Sequence, residues 1–237
     1  YPTDKLVGTF MFYTITGDDK ETTYPAGGDR ICNRDFADYI QTQIVEDIRQ
    51  TMVPNWQKRH LMQKSMSETR NPKVPSTIIE LLSHHNYYDM TFGLDPKFKF
   101  IVSRAIYKGM LRFIHQTTGT PYVVQPLPVQ QMNVTYANND TLQIRWAERV
   151  DSLEPTATPS YYVLYTRTSQ LKDGEWQTTD WDNGVMVKQN NATLPIQRGV
   201  KYDFMVRAGN NGGVSMPSEV MSAYIDPAYN NNLALII

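Results

Sequence analysis

The chain has 237 residues, 41% of them hydrophobic, with a formal net charge of −1. That apolar content suits one or two packed domains and excludes a disordered chain, while the balanced charge, with no basic stripe interleaved with aromatics, gives no reason to expect a nucleic-acid partner. A single cysteine, Cys32, excludes an internal disulfide framework and any CxxC metal site.

Leu6 to Ile15 is rich in aromatic and β-branched residues and reads as a buried or half-buried strand. A polar, Gly-rich loop follows from Gly17 to Asp29. Phe36, Ile40, Ile44, Val45, Ile48 and Met52 then recur at helical spacing, with Asn33 or a neighbour as cap and Pro54 as terminator. His60 to Arg70 suits a strand. Val74 to Leu82 is a proline-bounded apolar run, read as a buried strand of an α/β sheet. It carries one carboxylate, Glu80. An ionised carboxylate in such a place costs several kcal/mol unless a cation or hydrogen bonds meet it. Glu80 is therefore either a paired or neutral structural group or a chemical one.

Asp95-Pro96 has the form of an N-cap followed by proline at the first helical position. Phe100, Ile101, Ala105, Ile106, Met110 and Phe113 give the stripe of the helix behind it. The alternation of strands and helices predicts an α/β layer domain over residues 1–120. Pro121, Pro126 and Pro128 mark a stiff linker at 121–128. Short alternating strands at Thr141–Trp146, Tyr161–Thr166, Ala192–Ile196 and Tyr202–Ala208 predict a β-sandwich over 129–226. A further segment begins at 227–237. Tyr1-Pro2 is not a start and the tail stops as a strand begins, so the sequence is expected to be an internal piece of something longer. It has no recognisable secretory leader and no membrane-length apolar run.

The second half resembles a fibronectin type III module. Trp146 stands where the family keeps its core tryptophan, and Tyr202-Asp203-Phe204-Met205-Val206-Arg207-Ala208 matches its Y-x-F-x-V-x-A strand. Tyr202 would be the corner tyrosine. Such modules are binders or spacers. Trp176 and Trp181 are candidates for stacking on a sugar ring, against the plainer reading of strand-edge packing. Asn133, Asn139 and Asn191 head formal glycosylation triplets.

Val74 to Phe113 resembles the C-terminal part of the zinc-dependent N-acetylmuramoyl-L-alanine amidases, through Pro75, Glu80, Asn86, Asp89, Ala105 and Gly109. Tyr1 to Met52 fits the strand and helix that precede that block. The resemblance implies a three-layer domain, sheet flanked by helices, and makes Glu80 the general base and acid of a zinc hydrolase acting on peptidoglycan. It places the zinc ligands upstream of Tyr1, so this chain alone is expected to hold no catalytic zinc and to be inactive. The chain departs from the family pattern at Leu82, Ser83, His84 and His85. Adjacent strand residues point to opposite faces, so His84 and His85 are not expected to form a bidentate pair unless the turn bends sharply. With Asn86 they are candidates for substrate binding or support of the site. The same pairing of domains occurs in envelope proteins labelled xanthan lyase, which implies a periplasmic or extracellular place. The alternative is a degenerate, non-catalytic domain that binds glycan or scaffolds the envelope. A Cys/His hydrolase built on Cys32 ranks below both.

Overall fold

In the computed structural model, which describes residues 5–138, 140–228 and 235–236, the chain divides into two units, Tyr1–Tyr122 and Val123–Ile237. The expected triplet at Asn139 and most of the expected further segment at 227–237 lie outside the described residues.

The first unit runs β1 (Thr9–Tyr13), α1 (Cys32–Thr51), β2 (Lys58–Gln63), α2 (Ser67–Arg70), β3 (Ile78–Glu80), α3 (Tyr87–Leu94) and α4 (Pro96–Thr118). Its three strands form one sheet in the order β2-β1-β3, with β2 parallel and β3 antiparallel to β1. The register aligns Met11 with Leu61 and Ile79, and these side chains join Ile40, Ile44, Ile48, Trp56, Phe98 and Ala105 in one core. The long helices α1 and α4 therefore cover the Met11 face. Phe10 and Phe12 point the other way, where the Arg59 guanidinium lies 4.9 Å from the Phe10 ring centre and the Lys64 ammonium 5.6 Å from that of Phe12. Among the described residues the long helices thus occupy one face, where a sheet flanked on both was expected.

Several elements differ from their sequence reading for identifiable reasons. The N-cap residue of α1 is Ile31, and no side chain caps the helix. Its first amides are met by a tight turn instead, with Cys32 N donating to Asp29 O and Asn33 N to Arg30 O. β2 stops at Gln63, because Thr69 is drawn into α2, where its hydroxyl meets that of Thr14 at 2.8 Å. β3 is short and half-buried at the edge of the sheet rather than a buried strand. In α4 the inward stripe is Phe98, Ile101, Val102, Ala105, Gly109 and Phe113, whereas Phe100 and Met110 are exposed. Asp95 caps that helix through Lys97 N as its sequence implies, and Gly119 closes it in the left-handed region at φ 73°.

The second unit is a sandwich of antiparallel sheets. One holds β4 (Gln130–Asn138), β5 (Thr141–Ala147) and β9 (Asn191–Pro195). The other contains β6 (Tyr161–Lys172), β7 (Glu175–Thr178), β8 (Val185–Val187), β10 (Val200–Asn210), β11 (Gly213–Val214), β12 (Met221–Tyr224) and β13 (Leu235–Ile236). Val134, Leu142, Ile144 and Trp146 of the first meet Leu164, Phe204, Val206 and Ala223 of the second in a single core. The expected linker at 121–128 is mostly part of this unit. Val124 and Leu127 are buried, and the Asn210 side-chain amide donates to Val124 O at 2.9 Å. With Pro126 buried as well, the proline-rich stretch packs onto the sandwich without joining either sheet.

Candidate functional site

Glu80 ends β3 and lies opposite Phe10, near the leading end of β1. It is half-buried. The chain turns sharply after it, and that turn is fixed by one carboxylate. Asp89, fully buried in α3, accepts from Val7 N at 3.1 Å and from Ser83 N at 2.8 Å. It thus clamps the segment leading into β1 to the segment leaving β3.

Asn86 is the N-cap of α3. Its side-chain oxygen accepts from Tyr88 N and Asp89 N, and its amide donates to Lys5 O at 2.6 Å. At 1% exposure this side chain is committed to the turn and is not presented to a ligand. His84 and His85 occupy the bend itself and are both exposed. Their ring centres lie 3.8 Å apart at 42°, so the bend brings the two imidazoles side by side instead of sending them to opposite faces. Tyr87 and Tyr88 extend this exposed aromatic group at the start of α3.

Among the described residues no group of three or more His, Cys, Asp or Glu side chains could hold a metal ion. His60 is exposed on β2, and His115 Nδ1 lies 2.8 Å from Thr120 O on α4's last turn. Neither joins His84 and His85. The donor set present does not fit a catalytic zinc, whose open site takes three protein ligands. Cys32 is no activated nucleophile: burial first, then the charges of Asp29 and Asp35, push its thiol above the usual range.

Beside the leading end of β1 lies a cleft of about 530 Å³, lined by Lys5, Leu6, Val7, Asn55, Gln57 and Arg59. Gly8 makes its narrow wall possible. It sits at φ 81°, and a Cβ there would come within 2.5 Å of Gln57 O. The neighbouring Thr9 N–Gln57 O hydrogen bond, 2.9 Å, fixes the two chains at that distance.

At the far end of β1 a second polar node goes unrecognised in the sequence. Asn33 Oδ1 accepts from Tyr24 Oη at 2.6 Å and from Ser76 N at 3.0 Å, while its amide donates to Thr14 O. The fully buried Arg30 guanidinium donates to Arg70 O and Pro72 O and pairs with Glu21 at 3.1 Å. Periodicity carries no signal for such a node. Asn86 and Asp89 did leave one, since Asn-x-x-Asp ahead of a helix has the spacing of a capping box.

In the second unit the Tyr202 hydroxyl accepts a hydrogen bond from Gln197 N at 3.0 Å, the bond of a tyrosine corner. Trp146 is 3% exposed and packs edge-on against Tyr162. Trp176 is exposed beside Tyr224, and the Trp181 ring lies under the Arg167 guanidinium at 4.7 Å. Asn133 is exposed and Asn191 half-buried. No helix among the described residues is long and apolar enough to cross a membrane.

No family model matches the chain, and no curated protein matches it. Solved structures that it resembles include titin kinase with its flanking domains, at 19% identity and TM-score 0.31 over 41% of this chain and 16% of that one. The twitchin kinase region from C. elegans gives 17% identity and TM-score 0.35 over 45% and 18%. The third fibronectin III domain of the human KIAA0343 protein gives 14% identity and TM-score 0.33 over 47% of this chain and 92% of that one. The chain therefore spans less than a fifth of the titin and twitchin structures.

Proposed function

We propose that the first unit is the downstream part of a peptidoglycan amidase catalytic domain in a longer parent protein, and that the second is a fibronectin type III spacer. The observation that supports the first half is the position of Glu80. It lies across from Phe10, where the chain enters β1, so residues preceding β1 arrive beside this carboxylate. The amidase resemblance assigns the zinc ligands to that preceding stretch. In this reading the described residues, which hold no such ligand set, contribute the proton-transfer group of the centre.

In this reading Glu80 removes a proton from the attacking water and returns it to the departing amine. The bond broken is the amide between the lactyl group of muramic acid and L-alanine. The fibronectin reading of the second unit is supported by the Tyr202 corner bond and by Trp146 buried between the sheets. Both belong to an envelope protein exposed to the cell wall. The test is Glu80→Gln in the parent protein, with release of peptide from muropeptides as the assay. Turnover should fall by at least about 10²-fold with the zinc content unchanged. Normal turnover in that variant would overturn the assignment, whereas zinc-dependent release by the present chain alone would overturn only its expected inactivity.

A further inference from the structure

On β5 the side chains of Leu142, Ile144 and Trp146 enter the core, so Gln143 and Arg145 between them face outward. The register of the three-stranded sheet sets Asn133 of β4 and Asn191 of β9 on either side of Arg145, and Thr135 and Thr193 on either side of Gln143. Residues directly opposite one another in an antiparallel pair share a face. The outer face therefore carries two polar rows, Asn-Arg-Asn and Thr-Gln-Thr, and the formal glycosylation triplets at Asn133 and Asn191 are the flanking strands of this array. A pocket of about 280 Å³ opens in it, lined by Gln143, Arg145, Trp146, Asn190 and Asn191. We propose that this pocket binds an acidic saccharide, with Arg145 holding the carboxylate and the side-chain amides holding neighbouring hydroxyls.

The Arg145 guanidinium and the side-chain amides of Gln143, Asn190 and Asn191 make no hydrogen bond or ion pair with another described residue. Four polar groups that the fold does not consume thus converge on one pocket, which is the pattern of a site for a polar ligand. Arg145 is the single charged side chain lining it among the described residues, so one negative charge is matched. A guanidinium presents a planar fork that fits the two oxygens of a carboxylate. Amides both donate and accept, as a hydroxyl does, so their surplus suits a polyol. Gln143 and Arg145 are two residues apart on one strand, with backbones about 7 Å apart, a step that a sugar ring bearing the carboxylate spans and a lone small anion does not. Binding of this kind goes beyond a spacer's role, and it is independent of Glu80, which belongs to the other unit.

Titration calorimetry of the 237-residue chain tests the site with two acidic saccharides, trigalacturonic acid and N-acetylglucosaminyl-N-acetylmuramic acid, each beside its methyl ester. The first carries its carboxylates on the rings and the second on a lactyl arm, so the pair shows which source fits. Saturable binding of at least one acid is expected. Esterification of the bound probe and Arg145→Ala should each weaken binding roughly tenfold or more. Arg145→Lys should fall between wild type and Arg145→Ala, and Gln143→Ala should cost about threefold. Trp176→Ala, on the other sheet, should leave the affinity unchanged. Arg145 is exposed, so its variants should keep the wild-type melting temperature, which separates lost binding from lost fold. No saturable binding of either acid overturns the proposal, and so does binding that esterification or Arg145→Ala leaves unchanged. Binding that Trp176→Ala abolishes would place the saccharide on the other sheet and overturn it as well.

Discussion

Gly109→Ala tests the packing on which the first unit depends. Gly109 lies in α4 where that helix crosses α1, and a Cβ there would fall 2.6 Å from Ile40 Cα and 3.1 Å from Ile40 N and Tyr39 O. All three are backbone atoms, which cannot swing aside. Carbon atoms rest at about 3.5–4.0 Å, so the helices must part by roughly 1 Å along that line. The gap loosens Ala37, Ile40 and Ile44 against Ile101 and Ala105, and it stretches the buried Lys108–Asp47 ion pair, now 2.6 Å. Overpacking of this kind costs about 1–3 kcal/mol, and contact with backbone argues for the upper end. Alanine's helix propensity offsets about 1 kcal/mol of that. The net expectation is a loss of about 2 kcal/mol. With a urea dependence of about 2 kcal/mol per molar, the midpoint should drop by roughly 1 M. Far-UV circular dichroism is the right probe, because α1 to α4 all belong to the first unit. Ser103→Ala, exposed on the same helix, is the control and should gain about 0.5 kcal/mol or less. A Gly109→Ala midpoint equal to or above wild type would refute the close approach of the helices.

Tyr202→Phe removes the acceptor of Gln197 N and should destabilise the second unit by about 1–3 kcal/mol, measured by tryptophan fluorescence during denaturation. Burial alone would raise the Asp203 carboxyl, but hydrogen bonds from Ser222 and Arg167 and the charges of Lys201 and Arg167 outweigh it and hold the group below its ordinary range. A folded value below the unfolded one stabilises fully above the unfolded value of about 3.9 and is lost as pH falls through the folded one. Ser222→Ala should therefore lower the melting temperature near neutral pH, and its gap to wild type should close in acid; a gap that widens in acid would contradict the sign. Asp89→Asn keeps one acceptor of two, so hydrogen exchange at Val7 N or Ser83 N should accelerate while α4 amides remain protected.

What the sequence made legible was what neighbours in the chain decide. Asp95 caps α4 because its oxygen needs only the amide of Lys97, and Tyr202 finds Gln197 within one corner. Asn33 misled because it sits near a helix start with the right side chain, yet that side chain is spent on Thr14, Tyr24 and Ser76. Phe100 and Met110 are apolar residues at helical spacing that the packing of α1 rotates outward, since the glycine at 109 sets which face can approach. The run around Glu80 is as apolar as a central strand, but only β1 pairs with β3 among the described residues, so its burial is halved. His84 and His85 meet because the Asp89 carboxylate folds the chain at Ser83, a bond six residues away that no alternation pattern encodes.

That same carboxylate explains why Glu80 is worth testing at all. An edge strand that pairs with β1 over Ile78, Ile79 and Glu80 alone would hold its last residue loosely. Here the residues just past it are tied to Asp89, the following turn is tied to Lys5 by Asn86, and Val7 is tied to the same Asp89. The strand-end carboxylate, the imidazole pair and the chain leading into β1 are therefore one fixed assembly, built around a buried charge whose two oxygens each meet a backbone amide. A buried carboxylate so committed costs several kcal/mol to strand if either amide is removed. A fold that needed only to end a strand could do so with a glycine turn. The costlier device fixes Glu80 relative to the chain entering β1, as the proposed proton-transfer role would require.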